Sequence, residues 1–123
     1  MNNKKVYISG AITGWKRETY MARFQKAEEL LTDYGYKPVN PTNFFICKHL
    51  WAYKLIGYIL ALLYDLWQLS KCEYIYVIPF SSNSHGVNIE QNFAENLNIE
   101  TLPHEIKSKI DSVFYAHWIY AAK

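Results

Sequence analysis

Val6-Tyr7-Ile8-Ser9-Gly10-Ala11-Ile12-Thr13-Gly14 decides the fold. Val6 to Ile8 is a β-prone run that stops at Ser9-Gly10, and a helical pattern follows Gly14. Tyr20, Met21, Phe24, Ala27, Leu30, Leu31 and Tyr34 recur at three- and four-residue spacing, with Arg23, Lys26 and Glu29 off that face. Gly35 stands where a helix C-terminus takes a left-handed residue. A strand, a glycine-bearing turn and an amphipathic helix are the opening of an alternating α/β chain.

The rest of the chain repeats the alternation. Tyr36 to Val39 reads as a second strand closed by Asn40-Pro41, and Trp51 to Leu69 as a second helix. That helix is apolar on more than one face, which calls for deep burial or a subunit interface. Tyr74 to Ile78 is a β-branched and aromatic strand stopped by Pro79. A polar loop from Ser81 to Gly86 leads to a third helix with Phe93, Ala94 and Leu97 on one side. Ile99 to Leu102 reads as a fourth strand, and Pro103 opens a last helix to about Tyr120. The order β-α-β-α-β-α-β-α predicts a doubly wound, Rossmann-like parallel sheet of four to five strands. Helices cover both faces, and the expected strand order is 2-1-3-4. Ligands of such sheets bind beyond the strand ends where the order reverses. Here that crevice is bordered by Ser9 to Gly14 and Phe80 to Gly86, the two segments richest in glycine and serine.

Composition narrows the function classes. The 123 residues make one domain, read as residues 1–123. A 50% hydrophobic, 20% charged chain excludes intrinsic disorder. Thirteen Lys and Arg against eleven Asp and Glu give a net charge of +2, too mild for a nucleic-acid or membrane-surface binder. Leu55 to Tyr64 is the longest apolar run, and its ten residues fall short of a bilayer span. Two cysteines make no disulfide framework, so a reducing cytoplasmic setting is expected. Eleven tyrosines need buried partners or an interface.

Two carboxylates stand out. Glu90, in about the first turn of the third helix, shares its stripe with Phe93, Ala94 and Leu97. A carboxylate aimed at a core is costly unless it is paired or functional. The plain alternative is a glutamate that complements the helix dipole. Asp65 sits among Leu62, Leu66 and Leu69, with an exposed position on an imperfectly amphipathic helix as its plain alternative. Together such a pair divides labour, one group ionised and one protonated. The Ser9 to Gly14 loop suits an anion at a helix N-terminus but equally an ordinary βα turn. It lacks the dinucleotide fingerprint, and no P-loop Gly-Lys-Ser/Thr occurs. Ser81, Ser82 and Ser84 could hold a phosphate or cap the helix. Cys47, His49, Cys72, His104 and His117 lack zinc-site spacing, and His85 reads as a loop histidine.

Three segments carry a resemblance. Val6 to Gly14 is similar to the opening motif of the nucleoside 2-deoxyribosyltransferase superfamily, nearest to deoxynucleoside 5′-monophosphate N-glycosidases and their small bacterial and phage relatives. Asp65-Leu66-Trp67-Gln68-Leu69-Ser70-Lys71-Cys72-Glu73, with the strand after it, resembles the helix-into-strand segment of that superfamily. Ser84-His85-Gly86-Val87-Asn88-Ile89-Glu90, then Ala94, resembles its Ser-x-Gly-x-x-x-Glu-x-x-x-Ala motif. Asn40-Pro41 matches a turn of the small relatives. The resemblance implies cleavage of the N-glycosidic bond of a 2′-deoxynucleoside 5′-monophosphate, by hydrolysis or base transfer. Glu90 would be the nucleophile, Asp65 the proton donor, and Tyr7 the residue that orients Glu90. Ser9, Gly10, Ala11, Ile12, Thr13, Gly14, Ser84 and Gly86 would hold the substrate and its 5′-phosphate. It implies a homodimer, and no metal or organic cofactor. Glu73 replaces an Asp of the family pattern, and Asn88 a small residue near the sugar. The competing readings are a glycohydrolase of an NAD-like or cyclic nucleotide and a non-catalytic nucleotide-binding module.

Overall fold

The computed structural model describes residues 4–11, 16–43, 54–81 and 84–118. Strand β1 is Lys5–Ser9 and helix α1 is Arg17–Asp33. Strand β2, Lys37–Val39, is followed by a 3-10 turn at Pro41–Asn43. Helix α2 is Lys54–Leu69, strand β3 is Tyr74–Val77, and helix α3 is His85–Asn96. Strand β4 is Glu100–Thr101 and helix α4 is His104–Trp118. Residues 51–53 of the expected second helix and 119–120 of the last lie outside the described residues.

The four strands are all parallel, in the order β2-β1-β3-β4. This is the expected α/β arrangement. The order reverses between β1 and β3, where Val6 to Ser9 pairs with Tyr74 to Val77. Pro38 fits β2 because that strand is at the sheet edge, where a missing ladder donor is tolerated.

Alternation along β1 divides the interior in two. Val6 and Ile8 enter a core with Phe24, Ala27 and Leu31 of α1 and with Ile110 and Phe114 of α4. Tyr7 faces the opposite way, into a cluster with Leu69, Cys72, Ile75 and Ala94 beneath α2 and α3. Each fully buried large apolar side chain contributes about 1.5–3 kcal/mol, so the α1–α4 layer is firmly held. Gly10 has a packing reason: a Cβ there would come within 3.0 Å of both Phe24 and Ile78.

Helix ends follow local chemistry. Gly35, at φ 88°, closes α1 as expected, with the Tyr36 N–H on the Leu31 carbonyl and the Gly35 N–H on that of Thr32. Asn98, at φ 60°, closes α3 by the same pattern, with the Ile99 N–H bonded to Ala94 and the Asn98 N–H to Glu95. Leu97 is therefore a cap residue and exposed, not a core residue of the α3 stripe. Pro103 precedes α4 rather than entering its first turn, and its carbonyl accepts from the Lys107 N–H.

Helix α2 buries Ala61, Asp65 and Leu69, a stripe at four-residue spacing. Ile59, Leu60, Leu63 and Trp67 are exposed on the same helix. Of the two settings expected for α2, deep burial therefore does not hold within the single chain.

Candidate active site

Glu90 is reached from three elements. Ser84 caps α3 by accepting from the Val87 N–H at 3.4 Å, so the helix begins at His85 and Glu90 lies in its second turn. That is one turn further from the helix N-terminus than its expected place, and the dipole supports it less. Its side chain is 6% exposed. The Tyr7 hydroxyl donates to Glu90 Oε2, and the Ser9 hydroxyl donates to Glu90 Oε1 at 2.7 Å. Tyr7 and Ser9 are two apart on β1 and so point to one face. Both carboxyl oxygens are held from the strand that lines the switch point.

Burial pushes the Glu90 pKa up to about 8. The Tyr7 and Ser9 hydroxyls pull it down, and the charge of Asp65 raises it further. Desolvation wins because two neutral donors do not replace the hydration of a full charge. Asp65 is 8% exposed, and α2 packs on α3 over the same sheet face. The two carboxylates thus share one side of the sheet and feel each other's charge.

The Ser9 hydroxyl stands on the carboxylate of Glu90, a use that the sequence pattern does not suggest. Gly10 and Ala11 are half-buried, and the Ala11 N–H donates to Ser81 Oγ at 3.0 Å. This bond ties the loop after β1 to the loop after β3. Ile12, Thr13 and Gly14 lie outside the described residues, as do Ser82, Cys47 and His49. Gly86 lies in the first turn of α3, beside the cap residue Ser84. Asn88 is exposed on α3.

A second polar knot was not singled out from sequence. Asn40 Oδ1 accepts from the Thr42 N–H at 2.9 Å and from its hydroxyl at 2.6 Å, while the Asn40 amide donates to Glu28 at 2.9 Å. The signal was Asn-Pro-Thr itself, a side chain closing a local turn. Cys72 is buried, and burial lifts its thiol to about 11, so it stays protonated and is no nucleophile at neutral pH. Among the described residues no group of three His, Cys, Asp or Glu could hold a metal ion. No helix among them is long and apolar enough to cross a membrane.

Residues 4–102 match a family model described as a domain of unknown function, DUF4406. No curated protein and no solved structure matches the chain.

Proposed function

The chain belongs to the DUF4406 family, which is related to nucleoside 2-deoxyribosyltransferase-like proteins, and we propose that it cleaves the N-glycosidic bond of 2′-deoxynucleoside 5′-monophosphates. The observation that carries this reading is the buried Glu90 carboxyl, clamped by Tyr7 and Ser9 and within electrostatic reach of buried Asp65. A carboxylate held on both oxygens in a dry site is placed to stabilise a developing positive charge. Glycosidic bonds break through such an oxocarbenium-like state.

In this reading the Glu90 carboxylate attacks the anomeric carbon as the carbon–nitrogen bond breaks. Asp65 gives its proton to the departing base. Water then cleaves the glutamyl ester with Asp65 as the base, releasing deoxyribose 5-phosphate. Transfer to a second base replaces the water step. Glu90 and Asp65 hold one proton between them, and the productive form carries it on Asp65. Tyr7 and Ser9 keep Glu90 oriented and favour its ionised state. The 10–14 loop and the N-terminus of α3, with Ser84 and Gly86, would take the 5′-phosphate. The setting is the nucleotide pool of the cytoplasm, and the exposed Ile59, Leu60, Leu63 and Trp67 of α2 are the face for a second copy.

The test is release of free base from a panel of deoxynucleoside monophosphates, with NAD and cyclic nucleotides as further arms. The chain should release base from a deoxynucleoside monophosphate. Glu90→Gln should lower the rate on the order of a thousandfold or more while the fold persists. Release from NAD or a cyclic nucleotide alone would replace the substrate class, and tight binding without turnover would make the domain a binding module.

A further inference from the structure

Strand β4 pairs only with Tyr74 and Ile75, through Glu100 and Thr101, while β3 runs on to Val77. Past the end of β4, the remaining edge of β3 has no strand partner among the described residues, and this gap is flanked by α3 from one face of the sheet and by α4 from the other. A cavity of about 360 Å³ fills that gap, within the size range of small-ligand sites. It lies toward the β4 edge, whereas Glu90 turns toward β1 to meet Tyr7 and Ser9. Gln91, the next residue of α3, faces the cavity.

The lining has a definite chemistry. Lys107 Nζ lies 2.8 Å from Asp111 Oδ2, and the Tyr76 hydroxyl donates to Asp111 Oδ1 at 2.7 Å. Among the described residues, the one cation and the one anion of the lining therefore cancel, and these residues offer an ion no net charge. The half-buried Gln91 amide has no hydrogen-bond partner among the described residues, so its donors and its acceptor face the space. Phe80 and Tyr115 form an aromatic wall, with ring centroids 5.2 Å apart at 78°. Phe80 takes a left-handed φ of 73°, which a bulky side chain adopts only against steric cost. Its ring is also held by the Arg23 guanidinium, 5.7 Å from the centroid. Tyr115 is 49% exposed and leaves a ring face open to stacking.

We infer that this cavity is a second ligand site, for a neutral planar nitrogen heterocycle of the nucleobase class. The ring stacks on Tyr115 and meets Phe80 edge-on, and its donor–acceptor edge pairs with the Gln91 amide, with Thr101 also in the lining. Ser81 lines the same cavity and holds the Ala11 N–H, so occupancy bears on the loop after β1. The inference does not rest on the chemistry assigned to Glu90.

The experiment is titration of the whole chain with adenine, followed by calorimetry and by the Gln91 side-chain amide signals in NMR. Saturable binding at about 1 mM or tighter, with the Gln91 signals moving, is expected. Gln91→Ala should weaken it about tenfold, as should Tyr115→Leu. Glu90→Gln, titrated in parallel, should leave it unchanged. Gln91→Ala favours the helix, so a folding defect does not obscure the result. Binding abolished by Glu90→Gln but untouched by Gln91→Ala would put the heterocycle at the carboxylates and overturn the inference. So would phosphate or acetate shifting the Gln91 signals where adenine does not, and so would the absence of saturable adenine binding.

Discussion

Glu90→Gln separates the electrostatics of the site from its catalysis. An ordinary glutamate has a pKa near 4.5, and burial lifts Glu90 to about 8. The folded chain therefore holds a proton that the unfolded chain releases between those values. Stability from this group is fully present below pH 4.5 and is lost as pH rises through 8. At roughly 1.4 kcal/mol per pH unit, the loss between pH 5 and pH 9 is about 4 kcal/mol. Glutamine keeps the shape and accepts from Tyr7 and Ser9 on one oxygen only, but it carries no titrating proton. Urea denaturation at one-unit steps from pH 5 to pH 9 reads the effect. The wild type should lose about 4 kcal/mol more than Glu90→Gln across that interval, and most of the difference should fall below pH 8. Parallel curves for the two proteins would refute the reasoning. A wild type that gains on Glu90→Gln as pH rises would mean that the hydroxyls outweigh desolvation.

Asp65→Asn removes the neighbouring negative charge, so the Glu90 pKa should fall, and base release by the variant should rise with pH as Glu90 ionises, where that of the wild type falls as the shared proton is lost near pH 8. The same variant should slow base release about 10²–10⁴-fold through loss of the proton donor, read from the pH–rate profile. Tyr7→Phe removes a donor that favours the Glu90 carboxylate. The alkaline fall of kcat/KM should then move to higher pH, with a stability cost of about 1 kcal/mol by denaturation. Leu63→Lys with Trp67→Glu places charge on the exposed face of α2. Sedimentation should show a dimer converted to monomer with the thermal transition kept, and a wild type that is already monomeric would remove that role for the face.

The sheet was legible because each strand is a short β-prone run closed by Gly, Pro or Asn. The alternation of strands with helices then leaves few topologies. Gly35 was readable for the same reason: its φ of 88° suits glycine. Asn98 is not legible because asparagine in a left-handed cap looks like any polar surface residue, and the helical period alone carries the exposed Leu97 onto the Ala94 side. The burial of Glu90 follows from Phe93 and Ala94, while of its partners Tyr7 is legible only through the family resemblance and Ser9 is not legible in that role. Tyr7 and Ser9 lie 83 and 81 residues away, and only the register of β1 beneath α3 brings them to it. Asp65 was harder. Helix α2 is apolar nearly all round, so its period gives no inward face, and the stripe Ala61, Asp65, Leu69 emerges only when the sheet chooses one. The use of Ser9 was hidden because a serine before glycine reads as loop chemistry. The left-handed Phe80 was hidden because no local pattern announces a strained aromatic.

The claim that Glu90 forms the bond to the sugar has a direct measurement. The chain is mixed with a deoxynucleoside monophosphate, quenched in acid within a turnover, and digested for mass spectrometry. A deoxyribosyl phosphate adduct on Glu90, absent from Glu90→Gln, is the expected result. Base released at full rate by Glu90→Gln, or an adduct on another side chain, would contradict it.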